Sequence, residues 1–539
     1  MTAGGFVGWP GEFERRYVEA GYWGRRTLGQ LPRDWARRSP EATAIVAGEL
    51  RLSYRELDTR IDAMATGLLG RGIGPGDTVV LQLPNVAEFV VVFFALVRLG
   101  AVPLLTLPAH RRAEIGHVAG LTGAVAYVIA QRHEGFDYRV LAEQVRADVP
   151  SLRTVFVHGD PGPFESLADV PVPADAPVAD AGRPESLALL LMSGGTTGRP
   201  KLIPRTHRDY VYNAEACAEV VGLTAEDVYL AVLPIGHNLP WACPGVVGTL
   251  AAGGTVVLAP APSADEAFPL VEREGVTFSA VVPPLARLWI ERAAGTRHDL
   301  SSLRHLMIGG ARCDAALAAS VGPGLGARVI QSLGMAEGLL THTRPEDADE
   351  ILVHTQGRPL CPDDEIRVLD PDGRPVGAGE VGELWTRGPY TLRGYYRAPE
   401  YNRIAFDADG FYRTGDLVRE LPSGHLVVEG RVKEVINRGG ENVSEPELEE
   451  ELLRHPDVVE AAVFGLPDDD LGEIVCAALV LAPAAERPPK LKEVTAFLRE
   501  RGLARFKHPD RLWIVDRLPL TGVGKVDKRA LADAAAQRA

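Results

Sequence analysis

The strongest constraint on the fold is an alternation of two apolar patterns. Residues 77–83, DTVVLQL, read as a buried strand, and residues 87–100, AEFVVVFFALVRLG, as a helix ended by a glycine. AVPLLTL at 101–107 is again strand-like, and GTVVLAP at 254–260 repeats the type. Strands alternating with helices build βαβ units around a mainly parallel sheet, so the fold class is α/β. At 539 residues the chain exceeds what one core holds, and two or more domains are expected.

A second change of pattern sets off the C-terminal part. Beyond GRVKEVINRGGENV (430–443) the segments shorten to SEPELEEELLRHP, VVEAAVFGLP, EIVCAALVLA, LKEVTAFLRERG and RLWIVDRLP. In order these read as helix, strand, strand, helix and strand, a small α+β domain. The expected division is 1–430 and 431–539. Residues 158–186, rich in Pro, Ala and Asp, read as a surface connection inside the large domain.

Composition removes several classes. Apolar residues at 46% and charged residues at 24% suit a soluble globular chain, and a net charge of −15 argues against a non-specific nucleic-acid binder. Cys217, Cys243, Cys313, Cys361 and Cys476 lie far apart without a CxxC pair. That suits a reducing compartment and provides neither a zinc site nor a disulfide framework. The N-terminal MTAGGFVGWPGEFERRY lacks the basic start and apolar core of a secretory signal. The run FVVVFFALV stops at Arg98, too short to span a bilayer. The expectation is a cytoplasmic protein with a buried helix there and no membrane partner.

Chemistry concentrates in LMSGGTTGRPKLIPRTH, residues 191–207. Glycines let backbone N–H groups approach an anion, Ser and Thr add hydroxyl donors, and Lys201 adds a mobile cation. Such a loop suits either a phosphate cradle or a flexible glycine turn. It departs from the GxxxxGK phosphate loop, because Leu202 rather than Ser or Thr follows the lysine. Four segments follow in order: GMAEG (334–338), FYRTGDL (411–417), GRVKEVINRGGENV and PLTGVGKVDK (519–528).

Together with SGGTTGRPK these resemble the core motifs of the adenylate-forming superfamily, which includes acyl-CoA synthetases, luciferases and peptide-synthetase adenylation domains. WPGEFERRYVEAGYWGRRTL near the start, KLIPRTH, GHNLPWACPG and INRGGENV narrow the resemblance to free-standing aryl-acid adenylating enzymes. Those activate salicylate or 2,3-dihydroxybenzoate and load it onto an aryl carrier protein. The fold implied is a large N-terminal domain of layered α/β subdomains with a small mobile α+β C-terminal domain.

The resemblance also implies roles. Ser193, Gly194, Gly195, Thr196, Thr197, Gly198 and Lys201 would wrap the β- and γ-phosphates of ATP, and Thr197 with Glu337 would hold Mg2+. Gly309, Gly310 and Ala311 of MIGGARCD would line adenine and aryl ring, with Gly334 and Met335 beside the nucleotide. Asp416 would accept both ribose hydroxyls, a task suited to a two-oxygen acceptor, and Arg431 would reach the ribose or α-phosphate. Lys525 would be the catalytic cation, placed between acyl and phosphate oxygens as two anions are brought together. Lys433 stands at the hinge about which the small domain turns between an adenylating and a thioester-forming pose.

For the acid, His237 would close the site near the carboxylate and Asn238 would bond an ortho hydroxyl. Cys243 and Leu340 stand where relatives using 2,3-dihydroxybenzoate carry serine and valine. A weaker donor and a bulkier wall favour salicylate. Leu239 replaces a larger aromatic, leaving room for a substituted salicylate. No GGHS- or GGDS-type serine occurs, so the phosphopantetheinylated carrier would be a separate partner. The basic stretch RERGLARFKHPDR (499–511) suits docking of an acidic carrier. Free coenzyme A as acceptor, 2,3-dihydroxybenzoate as substrate, and a catalytically silent ATP-binding protein are the alternatives.

Overall fold

The computed structural model describes residues 5–537 apart from 174–175, 194–199, 433–434, 439–440, 469–470, 486, 502, 504 and 522–523. The chain forms two compact units, Met1–Glu365 with Thr386–Tyr412, and Ile366–Trp385 with Arg413–Ala539.

The apolar stretch at 87–98 becomes the helix Ala87–Arg98, every residue of it buried save Glu88. Its closing arginine is buried too. Arg98 donates to Asp62 Oδ1 at 2.7 Å, Asp58 Oδ1 at 2.6 Å and the Gly29 carbonyl at 3.1 Å. A buried guanidinium is tolerable when its donors find partners, which is why this position ends an apolar run without leaving the interior. Among the described residues no helix is long and apolar enough to cross a membrane.

The strands predicted as one parallel type belong to two sheets. Thr78–Gln82, Val102–Leu105, Ala126–Ala130 and Thr154–His158 pair in parallel within a seven-stranded sheet, which Leu187–Met192 extends and antiparallel Leu202–Thr206 ends. Thr255–Leu258 lies in a nine-stranded sheet, parallel to Thr43–Ala47 and Val228–Ala231. Phe278–Val281, His305–Ile308 and Arg328–Gly334 continue that sheet in parallel, and Leu340–His342 turns antiparallel. The connection at 158–186 is mostly irregular, but Glu165–Ser166 adds an edge strand and Leu167–Asp169 a short turn that buries Leu167.

In the second unit, Glu445–Leu453, Val458–Asp468, Gly472–Leu481, Leu491–Glu500 and Arg511–Ile514 follow the predicted order of helix, strand, strand, helix and strand. Three features were absent from the pattern: the hairpin Val435–Arg438 with Glu441–Ser444, the helix Lys528–Ala536, and the four-stranded sheet Glu365–Leu369, Val381–Arg387, Tyr412–Glu420 and Leu426–Arg431. The last helix is alanine-rich and capped by Asp527, whose side chain accepts from Ala530 N at 3.0 Å. Lys528 in its first turn donates to Glu445 Oε2 and lies 2.7 Å from Glu449 Oε1 as well.

Candidate active site

Most of the predicted site lies in the first unit, where loops leave the carboxyl ends of parallel strands, the usual ligand position in an α/β sheet. The loop 193–201 joins Leu187–Met192 to Leu202–Thr206. Its ends are tied together: Ser193 N donates to the Lys201 carbonyl at 2.9 Å and Lys201 N to Ser193 Oγ at 3.0 Å. Gly194, Gly195, Thr196, Thr197 and Gly198 lie outside the described residues. Lys201 Nζ stands 3.9 Å from the Tyr401 ring centroid and 5.7 Å from that of Tyr395. Tyr395 donates to Glu337 Oε1 at 2.8 Å and shares a hydrogen bond with the Tyr412 hydroxyl at 2.9 Å. Burial and the Glu337 charge push the Tyr395 phenol far above its usual range, so it remains a donor. Lys201 and Glu337 are thus gathered around one tyrosine.

The predicted acid pocket is built on the short helix Asn238–Ala242. His237 caps it, Nδ1 accepting from Leu239 N at 3.3 Å. Asn238 Oδ1 accepts from the Tyr210 hydroxyl at 2.7 Å, and its Nδ2 donates to Cys243 Sγ at 3.2 Å. Leu239 reaches Gly309: a Cβ added there would lie 3.4 Å from Leu239 Cδ2 and 3.4 Å from Ser332 Cβ. Gly310 follows at φ +80°, in the left-handed region that favours glycine, and Ala311 is exposed. A Cβ on Gly334 would collide with Leu340 Cδ2, so strand-end glycine and pocket leucine are packed together. Met335, half-buried, begins the turn to Glu337, its N–H donating to the Leu339 carbonyl at 3.3 Å.

Behind Leu340 lies a titratable group. Leu340 N donates to the Tyr390 hydroxyl at 3.3 Å, which donates to Asp364 Oδ2; Cys361 N donates to the same oxygen at 3.0 Å. Burial raises the Asp364 carboxyl to about 7, and its Oδ1 has no hydrogen-bond partner among the described residues.

One arginine ties these parts together. Arg205, buried in Leu202–Thr206, donates to Asp209 Oδ1 at 2.8 Å, Asn213 Oδ1 at 3.2 Å and the Ala336 carbonyl at 3.2 Å. Asn213 in turn donates to the Ala242 carbonyl at 2.7 Å. The turn bearing Glu337 and the helix bearing Asn238 therefore share one support.

The remaining predicted residues lie in the second unit. Asp416 and Arg431 face each other across antiparallel strands, Arg431 Nε donating to Asp416 Oδ1 at 2.8 Å. Lys525 sits half-buried near the end of a turn, where Thr521 N donates to its carbonyl at 2.7 Å and Lys525 N to Thr521 Oγ1 at 3.2 Å. Lys433 is outside the described residues. In the basic stretch, Lys507 pairs with Glu447 at 2.6 Å and Arg501 with Glu451 at 2.5 Å, which lowers its net positive field. Among the described residues no three His, Cys, Asp or Glu side chains cluster to hold a metal. Magnesium bound through one carboxylate and substrate phosphates requires no such cluster.

Sequence reading missed Arg205, Tyr210, Tyr395 and Asp364. The signal for Arg205 was present, a charged residue inside the apolar strand LIPRT. The two tyrosines and Asp364 carry no comparable mark.

In the first unit a carboxylate and a lysine gather around a tyrosine near strand ends, and the second unit carries an aspartate–arginine pair and a lysine on a turn. Residues 32–396 match the AMP-binding enzyme family and residues 447–525 its C-terminal domain; the chain belongs to this family. It is 51% identical over 537 residues to the salicyl-AMP ligase / salicyl-S-ArCP synthetase of Mycobacterium tuberculosis, covering 98% of this chain and 94% of that protein. It is 49% identical to the 2,3-dihydroxybenzoate-AMP ligase of Bacillus subtilis, covering 99% and 98%. The solved apo structure of MbtA from Mycobacterium smegmatis resembles it with a TM-score of 0.77 at 48% identity, covering 98% of each chain.

Proposed function

We propose that this enzyme activates salicylate, or a substituted salicylate, with ATP and passes the aryl group to the phosphopantetheine thiol of a separate carrier protein. The observation that carries the substrate choice is the pocket wall: Asn238 bonded to Cys243, with Leu340 packed on Gly334. A thiol is a weak partner for a 3-hydroxyl and leucine fills space beside it. The relative's name, which couples salicyl-AMP formation to a salicyl thioester on a carrier, supports both the acid and the acceptor.

In the first half-reaction a carboxylate oxygen bonds to the α-phosphorus while the bond to the bridging oxygen of pyrophosphate breaks. Lys525 lies between acyl and phosphate oxygens and offsets the charge gathered there. Ser193 and Lys201, with residues 194–198, hold the departing phosphates. Glu337 and Thr197 would hold Mg2+, which when bound would offset triphosphate charge. Gly309, Gly310, Ala311, Gly334 and Met335 flank base and aryl ring. Asp416 takes the ribose hydroxyls, with Arg431 exchanging part of its bond to Asp416 for the nucleotide. In the second half-reaction the thiol sulfur bonds to the acyl carbon and AMP leaves, the thiol giving up its proton. On the family resemblance, the C-terminal domain would turn about Lys433 between the two.

Acid-dependent ATP–pyrophosphate exchange over a panel of benzoates tests the first half. Exchange supported by salicylate above 2,3-dihydroxybenzoate and benzoate is expected; a preference for 2,3-dihydroxybenzoate overturns the pocket reading. Thioester formation with pantetheinylated carrier protein against coenzyme A tests the acceptor, with the carrier expected to win.

A further inference from the structure

An asparagine amide can meet a substrate with its N–H or with its carbonyl, and the two select opposite chemistry. Asn238 is 5% exposed, and its Oδ1 is engaged by the Tyr210 hydroxyl at 2.7 Å while one N–H is engaged by Cys243 Sγ at 3.2 Å. Tyr210 is fully buried, with the Arg205 guanidinium 4.8 Å from its ring centroid. The same arginine holds Asn213, which donates to the carbonyl of Ala242 on the helix of Asn238. Phenol and amide are therefore pinned from one support. Burial keeps the phenol protonated, far above its usual range.

We infer that Tyr210 is a positioning residue that turns the Asn238 amide so that its remaining N–H, rather than its carbonyl, meets the ortho substituent of the aryl acid. The inference rests on the aryl-acid reading above and adds a rule to it. An ortho hydroxyl turns its proton to the neighbouring carboxylate and presents oxygen as an acceptor to that N–H. An ortho amine presents donors, and its lone pair is delocalised into the ring. With the amine, a buried N–H stays unpaired, a loss worth on the order of tenfold or more in kcat/KM. The site would thereby distinguish hydroxyl from amine at one ring position, a distinction an apolar wall makes poorly.

The test is pyrophosphate exchange with salicylate, anthranilate and benzoate, using wild type and Tyr210→Phe. Wild type should favour salicylate over anthranilate by on the order of tenfold or more. In Tyr210→Phe the amide is free to rotate, and the ratio should fall severalfold toward unity with the KM for ATP unchanged. Both acids are read on one preparation, so a lower folded fraction cancels in the ratio. An unchanged ratio in the variant overturns the role of Tyr210. A wild type that uses anthranilate as well as salicylate overturns the inferred orientation without need of any variant. Failure of both ortho acids to exceed benzoate would instead remove the salicylate reading, and this rule with it.

Discussion

The proposed acid pocket and the turn that carries the proposed catalytic lysine are held in opposite ways. Around Asn238, side chains from Leu202–Thr206, the helix His207–Val220 and the helix Asn238–Ala242 interlock through buried hydrogen bonds of Arg205, Tyr210 and Asn213. Lys525 depends on a local turn, two of its backbone contacts being to Thr521 only four residues earlier. Its longer-range anchor lies just beyond, in Lys528 pairing with Glu445 and Glu449. Recognition of an acid by single hydrogen bonds requires side chains fixed by dense packing. A cation proposed to serve one half-reaction and then leave is better placed on a short turn, which moves without disturbing a core.

That contrast is broken most severely at Lys525. Lys525→Ala should lower aryl-AMP formation by roughly 10²–10³ or more while sparing thioester formation from supplied aryl-AMP. Equal loss in both half-reactions contradicts a lysine that acts in one pose only.

The next effect belongs to the interior. The folded Asp364 carboxyl, raised to about 7 by burial, binds its proton more tightly than an unfolded carboxyl does. Its contribution to stability is therefore present at low pH and is lost as pH rises from about 4 through 7, by about 2–4 kcal/mol. Thermal unfolding of Asp364→Asn should show a flatter pH dependence over that window than wild type. Parallel curves would remove the titration from Asp364.

Cys243→Ser with Leu340→Val should narrow or reverse the preference for salicylate over 2,3-dihydroxybenzoate. The expected change is about tenfold to a hundredfold in relative kcat/KM, the cost of burying a 3-hydroxyl without a good partner. The smallest effect is expected at the anchor of the turn. Lys528→Met leaves the buried Glu445 and its neighbour Glu449 without their shared cation and should cost about 1–3 kcal/mol of stability. Its loss in pyrophosphate exchange should be only a few-fold and should exceed any loss in carrier loading. An equal fall in both would show general destabilisation rather than misplacement of Lys525.

Much of this was legible because the signals are local. The strand–helix alternation, the helix at 87–98 and the five elements of the small domain each rest on a short pattern of burial. The hairpin at 435–444 was not, since the motif NRGGEN reads equally as a loop, and its strands are only four residues each. Asn238, Cys243, Leu340 and Lys525 could be named because resemblance marks positions. Tyr210 and Tyr395 could not, since their importance lies in what they touch at positions 238 and 337.

The sequence by itself determined the α/β class, the order of motifs and the residue types proposed to meet ATP and an acid, because these follow from periodicity and from chemistry carried along the chain. Tertiary structure decided which of two sheets each apolar strand joins, since doubly buried strands look alike until paired. It also decided that Arg205 bonds both the turn before Glu337 and Asn213, and that the Tyr210 hydroxyl meets the Asn238 amide. Those outcomes depend on hydrogen bonds between residues distant in sequence, whose geometry only the packed interior defines.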